Sequence, residues 1–158
     1  MKTTVLLSVF ATLGVMRCAA ADLHAPPDFL HAIRLVESGD RYDGPCGKAG
    51  ELGPYQFRLA VWRQYTSAPF SQAQTAFADH VAAKHYFWIA RRLRTGGVPA
   101  TSWNIAAAWN SGVRAVLSGR IPASSRDYAT RVVNLMEREA TIRSSLTPVL
   151  NVAMARQP

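Results

Sequence analysis

The chain has 158 residues and a formal net charge of +8, with 49% hydrophobic and 18% charged residues. This length allows one domain with a single core and little more. The ordinary hydrophobic fraction and the low charged fraction exclude an intrinsically disordered chain. The excess of positive charge favours an acidic or anionic partner.

The first 21 residues have the pattern of a secretory signal peptide, with a buried N-terminal helix as the alternative. Lys2 precedes an apolar run from Val5 to Met16 that is too short to cross a bilayer, and three alanines follow at 19–21. Arg17 stands directly before Cys18, where a lipoprotein signal has a small residue, which argues against lipidation. We therefore predict a secreted or periplasmic protein without a membrane span after signal cleavage.

The predicted mature chain begins at Asp22, and we expect it to be a monomer. Loss of Lys2 and Arg17 lowers the formal net charge from +8 to +6. Cys46 is then the only cysteine, so no internal disulfide can form. The stability of the domain must therefore come from packing.

The first predicted element is a short amphipathic helix that begins after Asp28, a good helix cap. Phe29, Ile33 and Val36 repeat at helical spacing and form one apolar face. Gly39 permits the left-handed turn that commonly ends a helix.

Glu37 lies in the last turn of this helix, close to its apolar face. The helix dipole disfavours a negative charge there, and burial would do the same, so both effects would raise the pKa of the carboxyl group. A proton held near neutral pH is what a general acid needs. The alternative is a solvated carboxylate or one paired with Arg34 or Arg41.

The hydrophobic spacing in the remainder of the chain predicts a mainly helical domain that spans residues 22–143. Residues 39–53 are rich in glycine and polar residues and predict an irregular loop or at most a small hairpin. Polar and small residues at 144–158 predict a loosely held tail. Further helices are predicted at 57–65, at 72–94 with Ser71 as the cap, at 103–109, in a short piece to 117, and from 125 past 139. The helix 72–94 has an apolar stripe formed by Ala73, Phe77, Val81 and Trp88. The segment 103–109 is nearly all apolar, which predicts a central helix.

Four short motifs resemble those of the lysozyme-like lytic transglycosylases (the SLT domain family). In chain order they are Glu37-Ser38-Gly39, Gly50-Glu51-Leu52-Gly53-Pro54-Tyr55-Gln56, Ala108-Trp109-Asn110-Ser111-Gly112, and Tyr128 followed by Val132 or Val133. The resemblance implies a mainly α fold of the α+β lysozyme superfamily. It also implies cleavage of peptidoglycan glycan strands between N-acetylmuramic acid and N-acetylglucosamine, without a metal or organic cofactor.

The resemblance also assigns roles to individual residues. Glu37 would act first as acid and then as base, and Tyr128 would donate a hydrogen bond to its carboxyl group. Ser38 would line the cleft, and Asn110 would contact substrate. The substrate's N-acetyl group would stabilise positive charge and its 6-hydroxyl would attack, leaving a 1,6-anhydro end.

Side-chain chemistry leaves two roles open for most of these positions. Gln56 can hold a sugar N-acetyl group or brace the loop. Tyr55 and Trp109 can stack on sugar rings or belong to the core. Ser38 can instead bind the local backbone, and Asn110 can simply end a helix. Tyr128 has apolar neighbours that also suit a core position.

Two other functions remain as alternatives to transglycosylation. Gly53-Pro54-Tyr55-Gln56 is closer to invertebrate-type lysozymes, which are hydrolases, and Trp109 replaces the tyrosine of the transglycosylase motif. A hydrolase would want a second carboxylate, for which Asp40, Asp43 and Glu51 are the nearby candidates. The second alternative is a non-catalytic module that binds the cell wall.

Metal and nucleic-acid binding are not predicted. His80 and His85 are five residues apart, which places them on different faces of a helix. The basic run 91–94 lacks interleaved aromatic residues and follows a secretion signal. It therefore indicates an anionic wall polymer or a solvated helix end rather than a nucleic acid.

Overall fold

The computed structural model describes residues 25–154, with side chains described through Leu146. The predicted signal peptide, residues 1–21, lies outside the described residues. Seven helical elements occur within residues 25–154, and no β-strand does. They are α1 (Pro27–Ser38), α2 (Leu59–Trp62), a 3-10 helix (Phe70–Gln74), α3 (Phe77–Thr95), α4 (Ser102–Ser111), α5 (Val113–Leu117) and α6 (Ala123–Met154). The predicted mainly helical class is confirmed.

Helix α1 ends as predicted but begins differently. Gly39 adopts the left-handed conformation (φ 66°, ψ 34°), and the N–H groups of Gly39 and Asp40 satisfy carbonyls of the last turn. The predicted cap at Asp28 is wrong, because the helix already begins at Pro27, whose fixed φ suits the first turn. Asp28 instead accepts hydrogen bonds from Arg143 of α6.

The predicted helix 72–94 is divided into two elements, so the predicted cap at Ser71 is wrong. Thr75 is extended (φ −128°, ψ 172°) and separates the 3-10 helix from α3. Its hydroxyl accepts a hydrogen bond from the N–H of Phe77, which satisfies one donor of the first turn of α3. Ser71 lies inside the 3-10 helix.

The segment between α1 and α2 is irregular within the part of the chain that is described. The only β-type backbone pairing in this segment is one isolated antiparallel bridge between Leu52 and Phe57. Helix α2 is one short turn, because the helical spacing predicted over 57–65 is realised only at Leu59–Trp62. The predicted loop is confirmed, and no larger hairpin forms within it.

Helix α4 lies at the centre of the domain and contacts α3, α5 and α6. Its buried residues are almost all alanine, which lets the neighbouring helices approach closely. Thr101 caps its first turn by accepting a hydrogen bond from the N–H of Asn104. The apolar pattern of 103–109 therefore correctly predicted a central helix.

Helix α6 continues through residues 144–154 of the segment for which a loosely held tail was predicted, and the last four residues of that segment lie outside the described residues. It packs against α1 and α4. Among the described residues, no helix combines the length and the apolar character needed to cross a membrane.

Candidate active site

A cleft of about 810 Å³ lies where the end of α1, the glycine-rich loop, α3 and α4 meet. This volume is within the range of about 300–1,000 Å³ that is typical of ligand sites. Five of the seven predicted site residues line it: Glu37, Tyr55, Gln56, Trp109 and Asn110. The structure therefore brings together residues from three separate motifs.

Glu37 is partly buried at the C-terminal end of α1 and faces this cleft. Burial raises the pKa of its carboxyl group above the ordinary value, and the nearby charge of Glu51 raises it further. A hydrogen bond from Tyr128 acts in the opposite direction, because it favours the ionised form. Burial is therefore the main cause of the raised pKa of this carboxyl group.

Tyr128 holds the carboxyl group in place. Its hydroxyl donates a 2.7 Å hydrogen bond to Oε1 of Glu37, across 91 positions of sequence. Tyr128 is only 4% exposed and does not line the cleft, so its hydroxyl contacts Glu37 from the buried side of the carboxyl group. The predicted hydrogen bond is confirmed, and Tyr128 can reach a substrate only through Glu37.

Replacing Tyr128 with Phe is expected to move the alkaline limb of the pH–rate profile to higher pH. The phenol favours ionised Glu37, so its removal raises the pKa of Glu37 further, and a general acid is active only while protonated. The pH dependence of glycan cleavage by the variant and the wild type measures this. A limb that stays in place or moves to lower pH would contradict the assignment.

Glu51 supplies a second carboxyl group to the cleft, and its pKa is shifted in the opposite direction to that of Glu37. It accepts hydrogen bonds from the N–H of Ala49 and from Nε of Arg58, at 2.9 and 3.0 Å. The backbone N–H, followed by Arg58, lowers the pKa of Glu51, so this group is a carboxylate at neutral pH. Asp40 and Asp43, the other two candidates for a second carboxylate, do not line the cleft.

The glycine-rich loop is shaped by two close approaches. A Cβ on Gly47 would lie 2.4 Å from Oε2 of Glu51 and 2.9 Å from Oε1 of Gln56. Gln56 has a positive φ of 46° and donates a hydrogen bond from Nε2 to the carbonyl of Gly53. Gln56 therefore braces the loop and also lines the cleft, so both of its predicted roles are geometrically available.

Tyr55 and Ser38 act mainly as structural braces. Tyr55 is 1% exposed, and its hydroxyl donates a 2.6 Å hydrogen bond to Asp79 on α3, which also binds Arg34 and Tyr42. Ser38 Oγ lies within hydrogen-bond distance of the Pro54 carbonyl, so it ties α1 to the loop. Ser38 does not line the cleft.

Trp109 and Asn110 lie at the end of α4. The half-buried Trp109 ring contacts the rings of Phe29, Tyr55 and Phe57, which makes it part of an aromatic cluster under the cleft. Asn110 is exposed and accepts a hydrogen bond from the buried hydroxyl of Ser125. Helix α4 ends one residue later, at Ser111, so Gly112 rather than Asn110 ends the helix.

Sequence reasoning missed three aromatic residues of the cleft: the buried Phe57, and His85 and Trp88. His85 and Trp88 lie on α3, and the sequence pattern placed Trp88 in the apolar stripe of that helix. Trp88 is instead 41% exposed. His85 and Trp88 are three residues apart, which places them on one face of a helix. This spacing was the sequence signal that could have identified them as neighbours in the cleft.

A second cavity of about 730 Å³ shares only Tyr55 with the predicted site. Its acidic side chains are paired with basic ones: Glu139 with His31, Asp79 with Arg34, and Asp28 with Arg143. Within the described part of the chain, no group of three or more His, Cys, Asp or Glu residues could hold a metal ion.

Comparisons of the chain with protein-family models, with curated proteins and with solved structures found no match.

Proposed function

We propose that the protein is a lytic transglycosylase of lysozyme-like fold that cleaves peptidoglycan glycan strands outside the cytoplasm. The observation that carries the proposal is the Glu37 carboxyl group, which lies at the edge of a large cleft, accepts a 2.7 Å hydrogen bond from Tyr128, and has its pKa raised by burial. Glycosidic cleavage needs such an acid. The four motifs that resemble the transglycosylase family supply the substrate class.

In the proposed reaction Glu37 transfers its proton to the glycosidic oxygen as the bond between this oxygen and the anomeric carbon breaks. The N-acetyl group of the substrate stabilises the positive charge that develops on the sugar. The resulting Glu37 carboxylate then takes the proton of the sugar's own 6-hydroxyl while that oxygen bonds to the anomeric carbon. One 1,6-anhydro end is formed, Glu37 is protonated again, and no water is consumed.

One observation favours a hydrolase as the second candidate. Glu51 lines the same cleft as Glu37, and the pKa of Glu51 is lowered whereas that of Glu37 is raised. Two carboxyl groups with pKa values pushed apart are typical of glycosidases. In a hydrolase Glu51 would act on water or on the sugar directly. In a transglycosylase Glu51 would have only a structural role, which is to brace the loop through its hydrogen bonds with Ala49 and Arg58.

Mass spectrometry of purified peptidoglycan after digestion distinguishes the two reactions. The proposal predicts 1,6-anhydro ends, whereas hydrolysis gives reducing ends, which are heavier by one water. We further expect Glu51→Gln to retain cleavage within about tenfold of the wild type, because an indirect effect on the loop is worth about 1 kcal/mol. A loss of about 100-fold or more together with reducing ends would establish the hydrolase instead.

A further inference from the structure

Helix α3 presents a flat aromatic surface to the cleft. Trp88 is 41% exposed and lines the same cleft as Glu37. Its ring is nearly parallel to that of His85, with an interplanar angle of 13° and a centroid distance of 6.0 Å. One face of Trp88 is thus supported by the protein while the side chain remains accessible.

The His85 ring is held in one orientation. It contacts the Trp109 ring edge-on at 4.6 Å and the Phe57 ring at 6.1 Å. Its Nδ1 lies 2.8 Å from the hydroxyl of Tyr65. In the tautomer of His85 whose Nδ1 accepts a hydrogen bond from this hydroxyl, the proton of the neutral imidazole lies on Nε2.

The imidazole is neutral under ordinary conditions. Burial lowers the pKa of His85 to about 4, and burial raises the pKa of Tyr65 to about 12. Neither group therefore carries charge near neutral pH. This part of the cleft differs from the loop side, where Lys48, Glu51 and Arg58 are the charged lining residues.

We propose that Trp88 and His85 form a subsite for an uncharged N-acetylhexosamine unit of the glycan strand, separate from the position where Glu37 acts. The exposed Trp88 ring stacks on the apolar face of the sugar, and the Nε2–H of His85 donates a hydrogen bond to a sugar or N-acetyl oxygen. The neutral, rigid surface suits this unit because it desolvates no charge on binding. The subsite deepens the proposed function and rests on it for the identity of the substrate.

Binding to chitotetraose, an uncharged tetramer of N-acetylglucosamine, tests the subsite by calorimetry in a Glu37→Gln background that prevents turnover. We expect Trp88→Ala to weaken binding by about tenfold, as is common when a central aromatic contact is truncated. We expect His85→Phe, which keeps a ring but removes the N–H donor, to weaken it by about 2- to 10-fold. Phe77→Ala is the matched control, because Phe77 is 37% exposed on the same helix and does not line the cleft.

Binding by Trp88→Ala within about twofold of its parent, or no binding by the parent itself, would overturn the subsite. Thermal unfolding of each variant ensures that weaker binding does not reflect loss of the fold. The proposed function is tested separately, by product formation with Glu37 intact and replaced. Glu37-dependent cleavage with unchanged binding by Trp88→Ala would therefore reject the subsite alone. Glu37-independent release of products would reject the proposed function alone.

Discussion

Glu37→Gln is expected to lower the rate of peptidoglycan cleavage by about 100- to 10,000-fold, which is the usual contribution of a general acid. The amide has nearly the same shape as the carboxyl group, and it can still accept the hydrogen bond from Tyr128. It cannot transfer a proton to the departing oxygen. Release of soluble fragments from purified peptidoglycan measures the effect.

Glu137→Gln is the matched control, because Glu137 is exposed on α6 and does not line the cleft. It should clear peptidoglycan at the wild-type rate. If Glu37→Gln and the wild type clear equally, or if neither acts under any condition, the enzymatic proposal is wrong. The second outcome would instead favour the non-catalytic module that binds the cell wall.

The stability of the Glu37→Gln variant shows whether a loss of activity reflects the missing proton donor or a loss of the fold. Burial raises the pKa of Glu37 in the folded protein, so ionisation costs stability as pH rises from the unfolded pKa through the folded one. Below both values this cost is absent. The variant, which has no ionisable group at this position, should therefore be at least as stable as the wild type at neutral pH. A large loss of stability would attribute the lost activity to misfolding.

Local chemistry explains which features the sequence could predict. Gly39 was correctly expected in a left-handed turn, because φ near +60° is accessible to glycine without strain. The end of α1 and the location of Glu37 followed from that turn. The hydrogen bond from Tyr128 was predicted only through the resemblance, since no local pattern connects positions 91 residues apart. The lysozyme-like form of the helical fold stays a prediction.

The features that sequence reasoning missed depend on tertiary contacts. Helical spacing continued through Thr75, but an extended backbone at this residue separates the 3-10 helix from α3. Trp88 fitted the apolar stripe of α3, yet the cleft leaves it exposed. Asp40, Asp43 and Glu51 were equal candidates for a second carboxylate in the sequence. Glu51 is distinguished from the other two by tertiary contacts, because Arg58 and the Ala49 N–H hold its carboxylate in the cleft.

Gly53→Ala is expected to destabilise the fold by about 2 kcal/mol or more. Gly53 has a φ of +74°, and an added Cβ would lie 1.7 Å from the carbonyl oxygen of Ala73 in the 3-10 helix. This neighbour is backbone, so the loop or the 3-10 helix must move, and the loop carries Gln56 into the cleft. The free energy of unfolding in urea measures the loss.

Gly50→Ala separates the steric part of this effect from the conformational part. Gly50 lies in the same loop with a φ of +81°, but a Cβ there would have no heavy atom within 4 Å. Its loss should therefore be limited to the cost of a left-handed alanine, about 1–2 kcal/mol. The additional loss in Gly53→Ala then reports the contact with Ala73. Equal losses in the two variants would show that the loop can move away from the 3-10 helix without cost, and that this contact does not position Gln56.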